Sequence, residues 1–256
     1  MGQKARVLIT VMTYPMPSVT YRELVCTGGV REDGSFIRLY PIDYRYNPPW
    51  EWYRKYQWIE LDIEKNVKDI RPESFRPTPN AKIEILGPPL STKDNWCARK
   101  RYVFAKGTKT MCGLNGVSQE ICSMGIVGVR EAIDFKAQPT SRDWKPAWKR
   151  LFMQRTLFGP DQKPLEKVPY KFSYVYKCYE PSCPGHNMMI EDWEIGLLYR
   201  RMRDKFQDEK IAVQKVKETF LDRICAPDVD THFYVGTILK HGTWVVIGTF
   251  WPKKQP

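Results

Sequence analysis

Residues 178–186 read Cys-Tyr-Glu-Pro-Ser-Cys-Pro-Gly-His, which sets Cys178, Cys183 and His186 in a C-x4-C-x2-H spacing. Two thiolates and an imidazole, carried on a strand end and a Pro/Gly-rich turn, can converge on one tetrahedral ion, and zinc is the usual occupant of such a site. Three ligands leave the set one short. Cys225, at the end of the helical region that follows, is put forward as the fourth; Asp192 or a more distant cysteine could serve instead, and a water there would leave a position open for chemistry. The competing readings are two ordinary buried thiols with a turn histidine, and a redox pair.

A second arrangement with catalytic potential is Asp134-Phe135-Lys136. On a strand, alternation puts Asp134 and Lys136 on one face, as metal-dependent nucleases of the (D/E)-x-K type require, and Asp94 or Glu120 could complete a Mg2+ site. The tripeptide is common, and an exposed strand face with a local ion pair is its more ordinary explanation. Other catalytic signatures are missing: the chain has no phosphate loop, no dinucleotide fingerprint and no nucleophile elbow. The deaminase pattern H-x-E fails because His186, His232 and His241 are followed two residues on by Met188, Tyr234 and Thr243.

Charge narrows the partner. Forty-one Lys+Arg against 29 Asp+Glu give a formal charge of +12, which favours a polyanion over a membrane or a basic protein. Phosphate contacts are expected from Arg99, Lys100, Arg101, Lys106, Lys109, Lys145 and Lys149, with bases stacking on Trp50, Trp52 or Tyr53. Seven cysteines, an odd number at irregular spacings, do not form a paired secreted framework. The opening MGQKARVLITVMTYP has no cleavage site, and no run approaches the length of a membrane helix, so a cytoplasmic protein with reduced thiols is expected.

These residues need elements to hold them. ARVLITVMT (5–13) is β-branched and is stopped by Tyr14-Pro15-Met16-Pro17. ELVCTGGV (23–30) and FIRLYPI (36–42), joined by Glu32-Asp33-Gly34-Ser35, form a hairpin. Trp58 to Ile63 alternates as a strand, and AKIEILG (81–87) is another, reached through a Pro-rich linker. Five short strands within ninety residues predict a small OB- or SH3-like barrel over 1–90. Residues 91–256 then form an α+β region. It begins with a helix capped by Ser91 or Thr92 and a short helix at 116–125, followed by a strand through Asp134. An amphipathic basic helix comes next at 141–158, broken by Pro146. The cysteine loop lies between a strand at 171–177 and a helix at 190–206 that buries Ile195, Leu198, Met202 and Phe206. A helix at 208–224 and a hairpin around Lys240-His241-Gly242 close the chain.

TYRELVCTGGVREDGSFIRLYPIDYR, DIRPESFRP and the C-x4-C-x2-H loop followed by Asp-Trp-Glu and a Tyr/Arg-rich helix resemble uncharacterised prokaryotic proteins of a dual OB-type nucleic-acid-binding family. The resemblance spans most of the chain. It implies DNA or RNA binding and metal ligation by Cys178, Cys183 and His186, and supplies no catalytic residue. The reading is therefore a nucleic-acid-binding protein with a structural zinc, not primarily an enzyme. A metal-dependent nuclease and a protein-interaction subunit of a larger complex are the alternatives.

Overall fold

The turn after residue 30 shows how the N-terminal half begins. Gly34 adopts φ +78°, open to glycine and strained for other residues, and a side chain there would also collide with Ala105. Asp33 closes the turn by accepting from the Ser35 amide at 2.9 Å. In this computed structural model, which describes residues 2–18, 22–153 and 165–255, the turn joins β3 (Arg22–Val30) to β4 (Phe36–Ile42). Before them run β1 (Gln3–Met12) and the short β2 (Met16–Ser18), and after them β5 (Trp58–Lys65), β6 (Ser74–Pro77) and β7 (Glu84–Ile85).

Five of these strands close on themselves. β1 pairs with β3 and β5, β3 with β4, β4 in parallel with β6, and β6 with β5. Val7, Ile9, Ile37, Leu39, Ile59 and Ile63 fill the interior. The expected fifth strand at 81–87 is a correction: only Glu84–Ile85 is extended, as an edge on β5, and the ring is closed by β6 from the Pro-rich segment. Parallel pairing with β4 uses only Ser74 and Phe75, so Pro72 and Pro77 can flank it without losing a ladder bond.

The C-terminal half follows α1 (Lys93–Val103) and α2 (Met111–Asn115). It contains β8 (Met124–Pro139), α3 (Pro146–Met153), β9 (Tyr170–Cys178), β10 (His186–Met189), α4 (Trp193–Phe206), α5 (Glu209–Lys217), β11 (His232–Thr237) and β12 (Trp244–Phe250). The sheet order is β10-β9-β8-β11-β12. Ile190, just past β10, forms a parallel bridge with Val246 in β12, and the Glu191 amide donates to the Val246 carbonyl at 2.8 Å, so this sheet also closes. With the ring strands numbered within each half, both run 1-2-3-5-4-1, the third and fifth being parallel.

Several local expectations change. The short helix sits at Met111–Asn115 and not at 116–125, because Thr110 accepts from the Gly113 amide at 3.1 Å and caps it there. Pro146 starts α3, in the first-turn position where its missing N–H costs nothing, and does not break it. Residues 154–158 of that predicted helix lie outside the described residues. Asp192 caps α4, which therefore starts at Trp193, and Phe206 at its end is 39% exposed where burial was expected.

The two barrels meet over the outer face of β3 and β4. A side-chain carbon on Gly28 would lie 2.8 Å from Met124 Cε, which is how closely the halves approach. Arg38 donates to the Ser123 carbonyl at 3.1 Å, and Ser123 donates to Glu73 at 2.6 Å. Buried Arg71 donates to both Asp69 oxygens, at 2.8 and 2.6 Å, and to the Thr237 carbonyl at 2.6 Å. Lys55 reaches from the first barrel to Glu194 at 2.7 Å and Asp192 at 3.4 Å.

A candidate metal centre and the basic surface beside it

The first barrel hands the chain to Lys109, which runs parallel to β8 at Val127 while its amide donates to the Ile126 carbonyl at 2.9 Å. That anchor and the Thr110 cap set α2 over the end of β9. Cys112 on α2 thus reaches Cys178, the last residue of β9. From Cys178 the chain turns, the Cys183 amide donating to the Glu180 carbonyl at 3.0 Å, and enters β10 at His186, opposite Tyr176.

Cys178 Sγ lies 3.6 Å from both Cys112 Sγ and Cys183 Sγ. His186 Nε2 lies 3.4 Å from Cys112 Sγ and 3.3 Å from Cys183 Sγ. A tetrahedral centre with metal–sulfur bonds of about 2.3 Å has sulfur–sulfur edges of about 3.8 Å and sulfur–nitrogen edges of about 3.6 Å. All four ligand atoms lie within 4.8 Å of one another, and Cys178, Cys183 and His186 are buried. The set is compatible with a metal site. Burial opposes ionisation of Cys178, yet backbone groups at Cys112 and Glu180 hold its thiol down at about 6; burial and the neighbouring sulfurs push Cys112 up to about 12. Three thiolates this close repel one another, and a divalent cation relieves that conflict.

The fourth residue is Cys112, a distant cysteine, and not Cys225. Cys225 Sγ lies 3.5 Å from the Phe220 carbonyl, and burial pushes its thiol up to about 12. Asp192 is committed elsewhere, accepting from the Glu194 amide at 2.9 Å and pairing with Lys55. The nuclease set does not assemble: among the described residues Asp134, Asp94 and Glu120 form no metal-binding cluster. Asp134 turns to its own neighbour, accepting from the Phe135 amide at 2.7 Å.

The basic and aromatic candidates separate into two groups. Arg99 is half-buried, its guanidinium 3.9 Å from the Tyr56 ring centre and 4.8 Å from that of Trp96, with Nε donating to the Leu90 carbonyl at 2.8 Å. Tyr53 is a correction. Only 1% exposed, its hydroxyl 2.7 Å from that of Thr27, it offers no face for a base. Lys109 points Nζ at Cys122 Sγ, 3.4 Å away, and Lys149 pairs with Asp143 at 2.9 Å. Lys100 on α1 is half-buried, while Arg101, Lys106, Lys145, Trp50 and Trp52 are exposed. Phe104, following α1, packs its ring 4.8 Å from that of His232, and both His232 and the exposed Tyr179 border Gly128. The end of α1 is thus linked through Phe104, buried His232 and Gly128 to Tyr179, which lies between the two loop cysteines.

A family model described as Domain of unknown function (DUF8757) matches residues 107–256, more than half of the chain. This chain belongs to that family. Residues 3–105 match a second model, Domain of unknown function (DUF8758). Cys112, Cys178, Cys183 and His186 therefore all fall inside the DUF8757 half, whereas the cations of α1 fall inside the DUF8758 match. No curated protein matches the chain. Among solved structures, that of a murine DNA-binding protein bound with double-stranded DNA aligns over 99% of this chain and 97% of that one, at 7% identity and a TM-score of 0.33. A likeness at that level carries no argument about function.

Proposed function

We propose that this DUF8757 protein binds nucleic acid through the cations of α1 and the loop after it, on a scaffold tied by a structural zinc. The observation that carries the reading is electrostatic. Lys93, Lys100, Arg101 and Lys106 take part in no ion pair among the described residues, and Asp94 is the only acid between positions 91 and 117. Such a strip attracts phosphates without first having to release a protein carboxylate.

The donor set supports zinc: three soft sulfurs and an imidazole suit a closed tetrahedral ion with no open position. The 1-2-3-5-4-1 connectivity of both rings supports an OB-like reading, a fold that often carries single strands, although a fold alone does not decide function. In the first barrel the face that OB domains commonly use, that of β3 and β4, is covered by the second barrel. This directs the reading to α1.

A gel shift with DNA and RNA oligonucleotides at increasing salt tests it. The logarithm of affinity falls by about 0.7 to 0.9 per phosphate contact against the logarithm of salt, and the triple variant Lys100→Ala/Arg101→Ala/Lys106→Ala flattens that slope by about 2 to 3. Arg99 is left intact because it packs against Tyr56. Absence of binding at about 50 mM salt, where phosphate contacts are strongest, refutes the proposal.

A further inference from the structure

A cleft of about 670 Å³ opens where the two barrels and the helices meet, lined among others by Arg54, Trp96, Arg99, Arg201 and Trp251. Its charge is unbalanced. Of its four cations only Lys55 is neutralised, by Glu194 at the rim and Asp192 behind it. Burial works against the Lys55 charge, but the two carboxylates outweigh it and raise its pKa. Arg54, Arg99 and Arg201 make no ion pair among the described residues. Beside them Trp96 and Trp251 stand edge to face, ring centres 5.4 Å apart, with the Arg223 guanidinium 5.4 Å from Trp251.

The backbone is strained at the same place. Non-glycine residues seldom adopt positive φ, aromatic ones less readily than Asn or Asp, and where they do the surrounding structure must hold them. Tyr56 (62°), Asp94 (50°), Asn95 (51°) and Trp96 (63°) all do so, leaving only Asn80 and Gln207 elsewhere among the described non-glycine residues. Asn95 is clamped by reciprocal hydrogen bonds with the Lys253 backbone, both 2.8 Å. Tyr56 and Trp96 are the two rings against which Arg99 packs. The fold thus accepts unfavourable backbone to hold two aromatics and a guanidinium at the edge of an electropositive cleft.

We infer that this cleft takes one nucleotide unit, its base against Trp96 or Trp251 and its phosphate on Arg54 and Arg201. Unpaired arginines select a phosphate, indole faces select a planar base, and the volume suits a single unit and not a duplex. The unit is either a free mononucleotide or one nucleotide of a strand held by α1; only the second source rests on the nucleic-acid reading above.

The full chain is titrated with nucleoside 5′-monophosphates and with inorganic phosphate by calorimetry and tryptophan fluorescence, and separately with a single strand carrying 2-aminopurine. Saturable mononucleotide binding is expected, at least about tenfold tighter than phosphate alone, because stacking adds to the ionic contact. The exposed pair Arg54→Ala/Arg201→Ala weakens it by about tenfold or more at unchanged melting temperature, each lost charge-assisted contact accounting for at least part of that factor. Quenching of 2-aminopurine that is lost in this variant identifies the strand as the source, and mononucleotide binding without it identifies the free nucleotide. Phosphate binding as tightly as nucleotide, equal affinity in the variant, or no response to any of these probes overturns the inference. A gel shift that persists in such a case leaves the α1 reading intact.

Discussion

Replacing Cys112 by serine removes one corner of the tetrahedron and, with it, a cross-link between distant parts of the chain. Cys112 and Cys178 are 66 positions apart, and their sulfurs lie 3.6 Å from each other. Treating the shared ion as a chain closure, the entropy removed from the unfolded state is worth about 4 kcal/mol, by the relation used for disulfide loops. For a chain of this size that is a fall of about 8 to 16 °C in melting temperature. The assay pairs elemental analysis of protein purified without added metal with thermal unfolding, with and without a strong chelator. Wild type is expected to carry about one zinc per chain and to lose stability on chelation; Cys112→Ser should start lower and lose less. Cys225→Ser, outside the tetrahedron, should keep its metal. A Cys112→Ser protein with full zinc content and a wild-type melting temperature would refute the reasoning, as would loss of metal in Cys225→Ser alone.

Burial raises the Glu23 carboxyl to about 7 against the pull of Arg45, so between its ordinary value near 4.5 and 7 the folded state holds a proton that the unfolded state has released. Stability should therefore fall as pH rises through that window, by at most about 3 kcal/mol, and Glu23→Gln should flatten the trend in urea midpoints taken from pH 5 to 8. Asp69→Ala strands the buried Arg71 guanidinium at the seam and should cost about 3 to 5 kcal/mol in denaturant unfolding. A cost below about 1 kcal/mol, the level of an exposed pair, would show that Arg71 finds water there.

The parts legible in the sequence were those encoded locally. The Asp33-Gly34 hairpin, the strand before Cys178 and the Cys178/Cys183/His186 spacing each depend on residues within about ten positions of one another. Cys112 was not legible, because nothing near it signals a metal; only the anchoring of Lys109 on β8, and of β8 on β9, brings it to the loop. β6 was hidden by prolines that a two-residue parallel contact tolerates. Tyr53 was misjudged for a related reason: residue type suggests what a side chain can touch, but tertiary packing decides whether solvent or a neighbouring side chain lies opposite. The left-handed backbone at Asp94–Trp96, which shapes the cleft, contradicts the helical pattern of its own sequence.

The polar seam over β3 and β4 bears on how the protein is made. Synthesis proceeds from the N-terminus, so the first barrel can close while Ser123 and Thr237, which receive Arg38 and Arg71, are still unmade or within the ribosome. Until then its outer face presents Val11, bare glycine backbone and the Arg38 guanidinium without its Ser123 partner to solvent or to a chaperone. The second barrel is the stopper for that opening. Ribosome-bound chains truncated near residue 130, with the first barrel emerged and Ser123 still within the ribosome, should accordingly recruit holdases, and those extended well past residue 250 should release them.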